Sequence, residues 1–413
     1  MKRAIFFHDV NEDESVVKQK NYFLKKRLIK LIFERKQLSI SSIKNELNIS
    51  VPSVHKLVEE LINEKVLKDM GVGESIGGRR PNMYGLNPTS FYILAIEINR
   101  VSIRMGLMNP LNEFISLPEE FFVDLENTEE YGEQLFEMVK RFVIRSGVES
   151  YKVLAAGVSV PGLVDSRKGK SYSYLSYSEE GLAKWLQGYI GIPVYIENDS
   201  RIMTLAEYKN GGVQGVDNAL CVNFTEGIGL GMIFNGALYE GNSGLAGEFG
   251  HLQIKEQGDV CYCGRKGCLE TLASGNALLK NAKEEWDNGG FTILRDVISN
   301  KNAITISAII EAAKSGDKKS VDLLSDIGEN LGKGIVILLH LLNPEKIIIG
   351  GSISMAGKYI VDPVRQAINK YAISRIADDT EITTSSIKDN VFLYGAFFLA
   401  MKNIFQDIDN TIV

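Results

Sequence analysis

Between Glu248 and Glu270 the chain reads Glu-Phe-Gly-His, a short glycine-containing spacer, then Cys-Tyr-Cys-Gly-Arg-Lys-Gly-Cys-Leu-Glu. Three of the four cysteines, Cys261, Cys263 and Cys268, stand here, and His251 lies ten residues before the first of them. Three thiols and one imidazole fill a tetrahedral shell and leave no open position, the pattern of a structural zinc ion, Zn2+. Gly264 and Gly267 let the short loop bend tightly enough for the thiolates to converge. Buried free thiols are the plain alternative, but the tight spacing, the two glycines and the flanking histidine speak against them. A disulfide fits less well, because Cys261 and Cys263 are too close to pair comfortably and nothing suggests export.

A chain of 413 residues holds two or three domains at about 150 residues each. No segment reaches the roughly 18 apolar residues of a membrane span. The apolar run at Ala4–Phe7 is too short for a signal peptide, and acidic Glu12, Asp13 and Glu14 follow it. These features predict a cytoplasmic protein with no membrane partner. The net charge of −6 hides an asymmetry. Residues 1–88 carry 16 Lys+Arg against 11 Asp+Glu, and the remainder 30 against 41. A basic front on an acidic body predicts that only the front meets a polyanion.

The front reads as a winged helix-turn-helix. The spacing predicts a helix over 16–36, with Leu24, Leu28 and Leu31 on one face and Lys25, Lys26, Arg27 and Lys30 among the basic residues elsewhere. Leu38–Ile40 reads as a short strand and Ser41–Leu47 as a short helix. Ser50 is an N-cap with Pro52 in the first turn. From there Val54, Leu57, Val58, Leu61 and Ile62 recur at helical spacing. This last helix begins near Val51 and shows Ser53, His55, Lys56 and Glu60 on its other face. It is the element that a helix-turn-helix places in the major groove of double-stranded operator DNA, with Val51, Ser53, His55 and Lys56 as candidate contacts. Val66–Lys68 and Asn82–Leu86 read as wing strands. Gly78-Arg79-Arg80-Pro81 lies between them, so Arg79 and Arg80 are placed for a minor groove or the phosphates.

The body, after a linker at 87–90, alternates strand, loop and helix in two halves, which predicts two α/β lobes with a cleft between them. Strands are expected at Phe91–Ile98, Val101–Met108, Val153–Val160, Pro193–Glu197, Ala219–Phe224 and Lys346–Gly350. Helices are expected over Glu129–Arg145, from Ser200 to Lys209, over much of 276–333 and over Val391–Phe405. Asn198 and Asp199 then stand at the C-terminal end of a strand, where open α/β sheets bind ligands.

With these residues in place the chain resembles the ROK family of repressors and sugar kinases, over essentially its whole length. The Cys-x-Cys-Gly-x-x-Gly-Cys-x-Glu stretch and Gly-Glu-x-Gly-His at 247–251 carry the resemblance. It implies the bilobal actin-like, hexokinase-like ATPase fold with a structural zinc site. It divides the chain into a DNA-binding domain at 1–88, a first lobe at 89–205 completed by the C-terminal helix, and a second lobe with the zinc site at 206–413. The front domain with its Gly-Arg-Arg-Pro tip is similar to the family's repressors of sugar-use genes. The resemblance also implies a sugar site, in which Asn198 and Asp199 match the family's sugar-binding Asn-Asp pair and Glu248, His251 and Glu270 the other hydroxyl-binding positions. The residues alone leave alternatives open: Asp199 as a helix N-cap, Glu248 and Glu270 as partners of the zinc site. His251 can serve both roles, one ring nitrogen on zinc and the other on a hydroxyl.

Family kinases carry Asp-x-Gly-Gly-Thr after the first strand, where this chain has Glu97-Ile98-Asn99-Arg100-Val101. They carry Gly-Thr-Gly-x-Gly in the second lobe, where this chain has Thr225-Glu226-Gly227-Ile228-Gly229. Both changes disfavour a triphosphate. The expectation is therefore a regulator without enzymatic activity, most simply a repressor, acting as a homodimer or dimer of dimers and answering to a sugar or sugar derivative. The alternative is an ATP-dependent sugar kinase with an appended DNA-binding domain.

Overall fold

The computed structural model describes residue 6 and residues 16–74, 80–123, 129–176, 178–387 and 390–409. The chain divides into two compact units, Met1–Asn198 with Phe392–Val413, and Asp199–Val391.

The first unit opens with three helices: α1 (Val16–Arg35), α2 (Ile40–Leu47) and α3 (Val51–Asn63). Ser39 caps α2 by accepting the Ser42 amide at 3.1 Å. Asn48, in the left-handed conformation, ends it. Ser50 caps α3 by accepting the Ser53 amide at 3.3 Å, and proline occupies its first turn. Val54, Leu57, Val58 and Leu61 are buried, as their spacing predicts. Strands β1 (Gln37–Ser39), β2 (Leu67–Val72) and β3 (Asn82–Leu86) form an antiparallel sheet in the order β1-β3-β2, so the helices carry a wing.

Helix α1 buries a different face from the Leu24–Leu28–Leu31 stripe that its spacing predicts. Leu28, Ile29 and Ile32 are its buried apolar residues, and Lys26 is buried with them. Lys26 Nζ donates to the Phe6 carbonyl at 2.9 Å. Lys25 Nζ pairs with Glu60 at 2.9 Å and Glu64 at 2.7 Å of α3. Glu60 therefore faces α1 rather than the open side of α3.

The same unit holds a five-stranded sheet in the order β10-β7-β4-β5-β6, built from β4 (Tyr92–Ile98), β5 (Ser102–Met108), β6 (Glu119–Phe122), β7 (Val153–Val160) and β10 (Val194–Asn198). β4, β7 and β10 are parallel, β5 pairs antiparallel with β4, and β6 pairs antiparallel with β5. Every residue of β4 and β7 is buried, which explains their nearly continuous apolar runs, interrupted by Glu97 in β4 and Ser159 in β7. Helices α4 (Glu129–Arg145) and α5 (Leu182–Ile190) pack together, and the small strands β8 (Val164–Asp165) and β9 (Lys170–Ser171) pair beside them. The C-terminal helix Val391–Ile404 lies hard against β7: a Cβ on Gly157 would meet the Ala396 carbonyl at 1.9 Å.

The second unit repeats this sheet plan in the order β13-β12-β11-β14-β15. Its strands are β11 (Ala219–Phe224), β12 (Ile228–Phe234), β13 (Ala237–Leu238), β14 (Lys346–Gly350) and β15 (Glu381–Thr384). Again a three-stranded antiparallel meander, β11 to β13, precedes strands that join in parallel, β14 and β15. Its main helices are α6 (Asp199–Asn210), α7 (Leu269–Ala273), α8 (Gly275–Asp287), α9 (Ile306–Lys314), α10 (Lys318–Leu342) and α11 (Lys358–Tyr371), besides five-residue helices at Ile293–Val297 and Ser374–Asp378 and 3-10 turns. The 25-residue α10 organises the core. At Gly334 it comes so near that a Cβ would meet Leu269 Cδ2 at 2.7 Å and Phe249 Cζ at 2.9 Å. Leu269 and Phe249 each sit beside residues of the cysteine motif, so the core holds that motif directly.

Candidate functional site

The metal motif is built on a turn and a doubled-back loop. A 3-10 turn at Phe249–His251 presents the imidazole. The chain then folds back, with Leu269 N donating to the Leu252 carbonyl at 2.8 Å and bridges joining Gln253 to Cys268 and Val260 to Lys266. Gly267 has φ +70°, and a Cβ there would strike the Lys255 carbonyl at 1.7 Å, so no other residue fits.

His251, Cys261, Cys263 and Cys268 present ligand atoms that all lie within 4.8 Å of one another. The cysteines are unpaired. His251 Nδ1 is 3.5 Å from Cys261 Sγ, and Cys263 Sγ is 3.7 Å from Cys268 Sγ. With metal–sulfur bonds of about 2.3 Å and metal–nitrogen bonds of about 2.05 Å, a regular tetrahedron has edges of about 3.8 Å between sulfurs and about 3.6 Å between sulfur and nitrogen. Both pairs match such edges and all four donors lie within 4.8 Å of one another, so the donor set could hold a metal ion. The Arg265 backbone amide holds the Cys263 thiol below its ordinary range, while burial pushes Cys268 up to about 12.

The imidazole's other nitrogen, Nε2, lies 2.9 Å from Tyr262 Oη and 3.8 Å from Glu248 Oε2. Glu248, on the open side of this group, is pushed above the usual carboxylate range. Partial desolvation is the chief cause, with 42% of the side chain still exposed; the charges of Asp199 and Glu270 add to it, and His251 and Arg201 oppose it. Asp199, Glu248, His251 and Glu270 thus form one electrostatic neighbourhood of the second unit. Asp199 starts α6, and its Oδ1 accepts the Ser200 amide at 2.7 Å and hydroxyl at 3.1 Å. Asn198, one peptide bond earlier, is the last residue of the first unit, and its Nδ2 donates to the Gly162 carbonyl at 2.9 Å. Arg201 is fully buried and donates to the Ala246 carbonyl at 3.1 Å. Nothing in the residue spacing pointed to Arg201. Tyr262 was also missed, although its place between Cys261 and Cys263 was a signal.

The two segments compared with phosphate motifs are internally occupied. The buried Glu97 accepts Asn99 Nδ2 at 3.0 Å and Arg104 Nη1 at 3.2 Å. Burial pushes its carboxyl up, against the pull of Arg104. In the second segment Thr225 N donates to the Gly227 carbonyl at 3.1 Å, and Ile228 N to Glu270 Oε2 at 3.2 Å. Glu226 is exposed. The glycines here serve packing: a Cβ on Gly229 would lie 1.9 Å from Ser200 Oγ, and one on Gly231 1.9 Å from Thr204 Oγ1.

On α3, Val51, Ser53, His55 and Lys56 are all exposed. Ser53 Oγ shares a 2.8 Å hydrogen bond with Ser50 Oγ. Arg80 is exposed beside the wing, and Arg79 lies outside the described residues. Among the described residues no helix is long and apolar enough to cross a membrane.

Comparison with known proteins gives a consistent result. The model of the ROK family matches residues 94–403. A xylose repressor of Caldicellulosiruptor bescii is 29% identical over 396 residues, 95% of this chain and 98% of the relative. The DNA-binding transcriptional dual regulator NagC of Escherichia coli is 27% identical over 385 residues, 92% of each chain. The crystal structure of a ROK family transcriptional regulator, a homolog of the E. coli MLC protein, superposes with a TM-score of 0.77 at 26% identity, covering 94% of this chain and 98% of that one. A ROK family glucokinase from Streptomyces griseus, in complex with glucose and AMPPNP, gives 0.66 at 27% identity, covering 75% of this chain and 99% of its own.

Proposed function

The chain belongs to the ROK family, and from that premise we propose that it is a DNA-binding transcriptional regulator, a repressor of carbohydrate-use genes released by a sugar or sugar derivative. The observation that carries this reading is the join. A capped helix exposing Val51, Ser53, His55 and Lys56 stands ahead of residue 94, where the ROK match begins. The relatives named as repressor and regulator match more than nine-tenths of the chain, the glucokinase three quarters. A homodimer, or a dimer of dimers, sets two α3 helices into successive major grooves. Arg79 and Arg80 add phosphate or minor-groove contacts.

The sugar binds at Asp199, Glu248, His251 and Glu270, with Asn198 adjoining. Carboxylates accept from pairs of hydroxyls, and His251 Nε2 serves a further hydroxyl. His251, Cys261, Cys263 and Cys268 would hold the metal, a structural Zn2+. When bound, it supplies a closed tetrahedral anchor that fixes the His251 ring and tautomer. ATP chemistry is disfavoured, because Glu97 is committed to Arg104 and Asn99, Ile228 N to Glu270, and Glu226 would repel a phosphate.

The test is the Asp199→Asn variant, scored by operator binding and by its response to D-xylose, D-glucose and N-acetyl-D-glucosamine. The variant should bind operator normally and lose the sugar response. A normal response would remove Asp199 from the ligand site. Turnover of ATP with any of these sugars at ordinary kinase rates would sink the regulator-only reading.

A further inference from the structure

His251 Nε2, the nitrogen left for a ligand once Nδ1 is turned to the thiols, already has a partner. Tyr262 Oη lies 2.9 Å from it, and the tyrosine ring stands edge-on to the imidazole with centroids 5.0 Å apart at 77°. Glu248 Oε2, at 3.8 Å, is beyond hydrogen-bond distance of the same nitrogen. An imidazole nitrogen offers one hydrogen-bonding position. A ligand hydroxyl that uses Nε2 must therefore take the place of the Tyr262 hydroxyl.

Tyr262 is built to give way. Its main chain is fixed on both sides by Cys261 and Cys263, so movement is confined to its side-chain torsions. The residue is 71% exposed, so solvent lies open to the ring once it leaves the His251 edge. We propose that Tyr262 is a specificity-determining residue of the ligand site, its hydroxyl competing with the ligand for His251 Nε2. The proposal rests on the reading of Asp199, Glu248, His251 and Glu270 as the sugar-binding group. In the ligand-free protein the hydroxyl holds the site in a closed form. Apparent affinity is lowered by the fraction of molecules in which Tyr262 has swung away. A sugar that presents a well-placed hydroxyl displaces it, and one that does not leaves it seated.

The experiment compares the full chain with Tyr262→Phe by calorimetric titration with D-xylose, D-glucose and N-acetyl-D-glucosamine, with metal content and operator affinity measured alongside. Losing one net hydrogen bond from the closed form should tighten binding of the sugar that the natural protein accepts by about two- to tenfold. Metal content and sugar-free operator affinity should stay unchanged, which a merely structural tyrosine would not give. Unchanged or weaker binding in Tyr262→Phe, where Asp199→Asn still abolishes binding, overturns the proposal and leaves the ligand site standing. Absence of binding of all three sugars to the natural chain, or full binding by Asp199→Asn, overturns the ligand site and the Tyr262 proposal together.

Discussion

Asp317 caps α10, the helix on which the metal motif rests, and its removal has a calculable cost. The residue is fully buried. Oδ1 accepts the Ser320 amide at 2.9 Å, and Oδ2 accepts the Thr292 amide at 2.9 Å, the Thr292 hydroxyl at 3.1 Å and the Leu294 amide at 3.3 Å. Asp317→Ala loses an N-cap worth about 1 kcal/mol. It also strands the buried Leu294 amide, at about 2 kcal/mol. The sum of about 3 kcal/mol should lower the melting temperature of the second unit by about 6–12 °C. Asp317→Asn keeps an acceptor and the shape, and should cost about 1 kcal/mol. Because α10 touches Phe249 and Leu269 at Gly334, the alanine variant should also release its metal faster to a chromophoric chelator.

The pH dependence of this contribution has a definite sign. Burial pushes the Asp317 carboxyl up, but the amides of Ser320, Thr292 and Leu294 outweigh it and hold it below the usual range. A depressed carboxylate contributes its stability above the unfolded value, about 3.9, and loses it as pH falls through the folded value. The gap between the natural chain and Asp317→Asn should therefore close in acid. Scanning calorimetry across pH measures all of this. If both variants melt within about 0.5 kcal/mol of the natural chain, the cap does not carry the load assigned to it.

Cys263→Ser should reduce metal content from about one ion per chain to near zero by elemental analysis, since a tetrahedral site loses one of four donors; full retention would contradict the ligand set. Arg79→Ala with Arg80→Ala should weaken operator binding and reduce its log–log salt slope by about 2, measured by anisotropy titrations at several salt concentrations. Lys25→Met leaves Glu60, still bonded to Asn21, and Glu64 facing each other without their shared cation, and should destabilise the front helices by about 2 kcal/mol in denaturant titrations. The contribution of Lys25 is full below its unfolded value, about 10.4, and is lost only as pH rises through its raised folded value.

The buried strands, the capped helix α3 and the metal motif were legible because each rests on local pattern. An apolar run, a serine before a helical repeat and a cysteine spacing are readable within a few residues. Lys25, Lys26 and Glu60 were misplaced because their partners lie elsewhere in the chain: Glu60 and Glu64 for one lysine, the Phe6 carbonyl for the other. Strand β6 escaped because Glu119–Phe122 is four residues at a sheet edge, too short for its alternation to stand out. Helix α11 escaped because Pro363 lies inside it, a residue that argues against helix. In the candidate site, residue identities were readable and their engagements were not. No spacing rule gives Tyr262 against His251, or the use of Gly229 and Gly231 to seat α6.

Coupling of sugar binding to operator binding in one chain has a direct thermodynamic signature, linkage. Operator affinity is measured by fluorescence anisotropy with and without saturating sugar, and sugar affinity by calorimetry with and without saturating operator. Sugar should weaken operator binding at least about fivefold, operator should weaken sugar binding by the same factor, and Asp199→Asn should remove both effects. Equal operator affinity in the presence and absence of a demonstrably bound sugar would contradict this coupling.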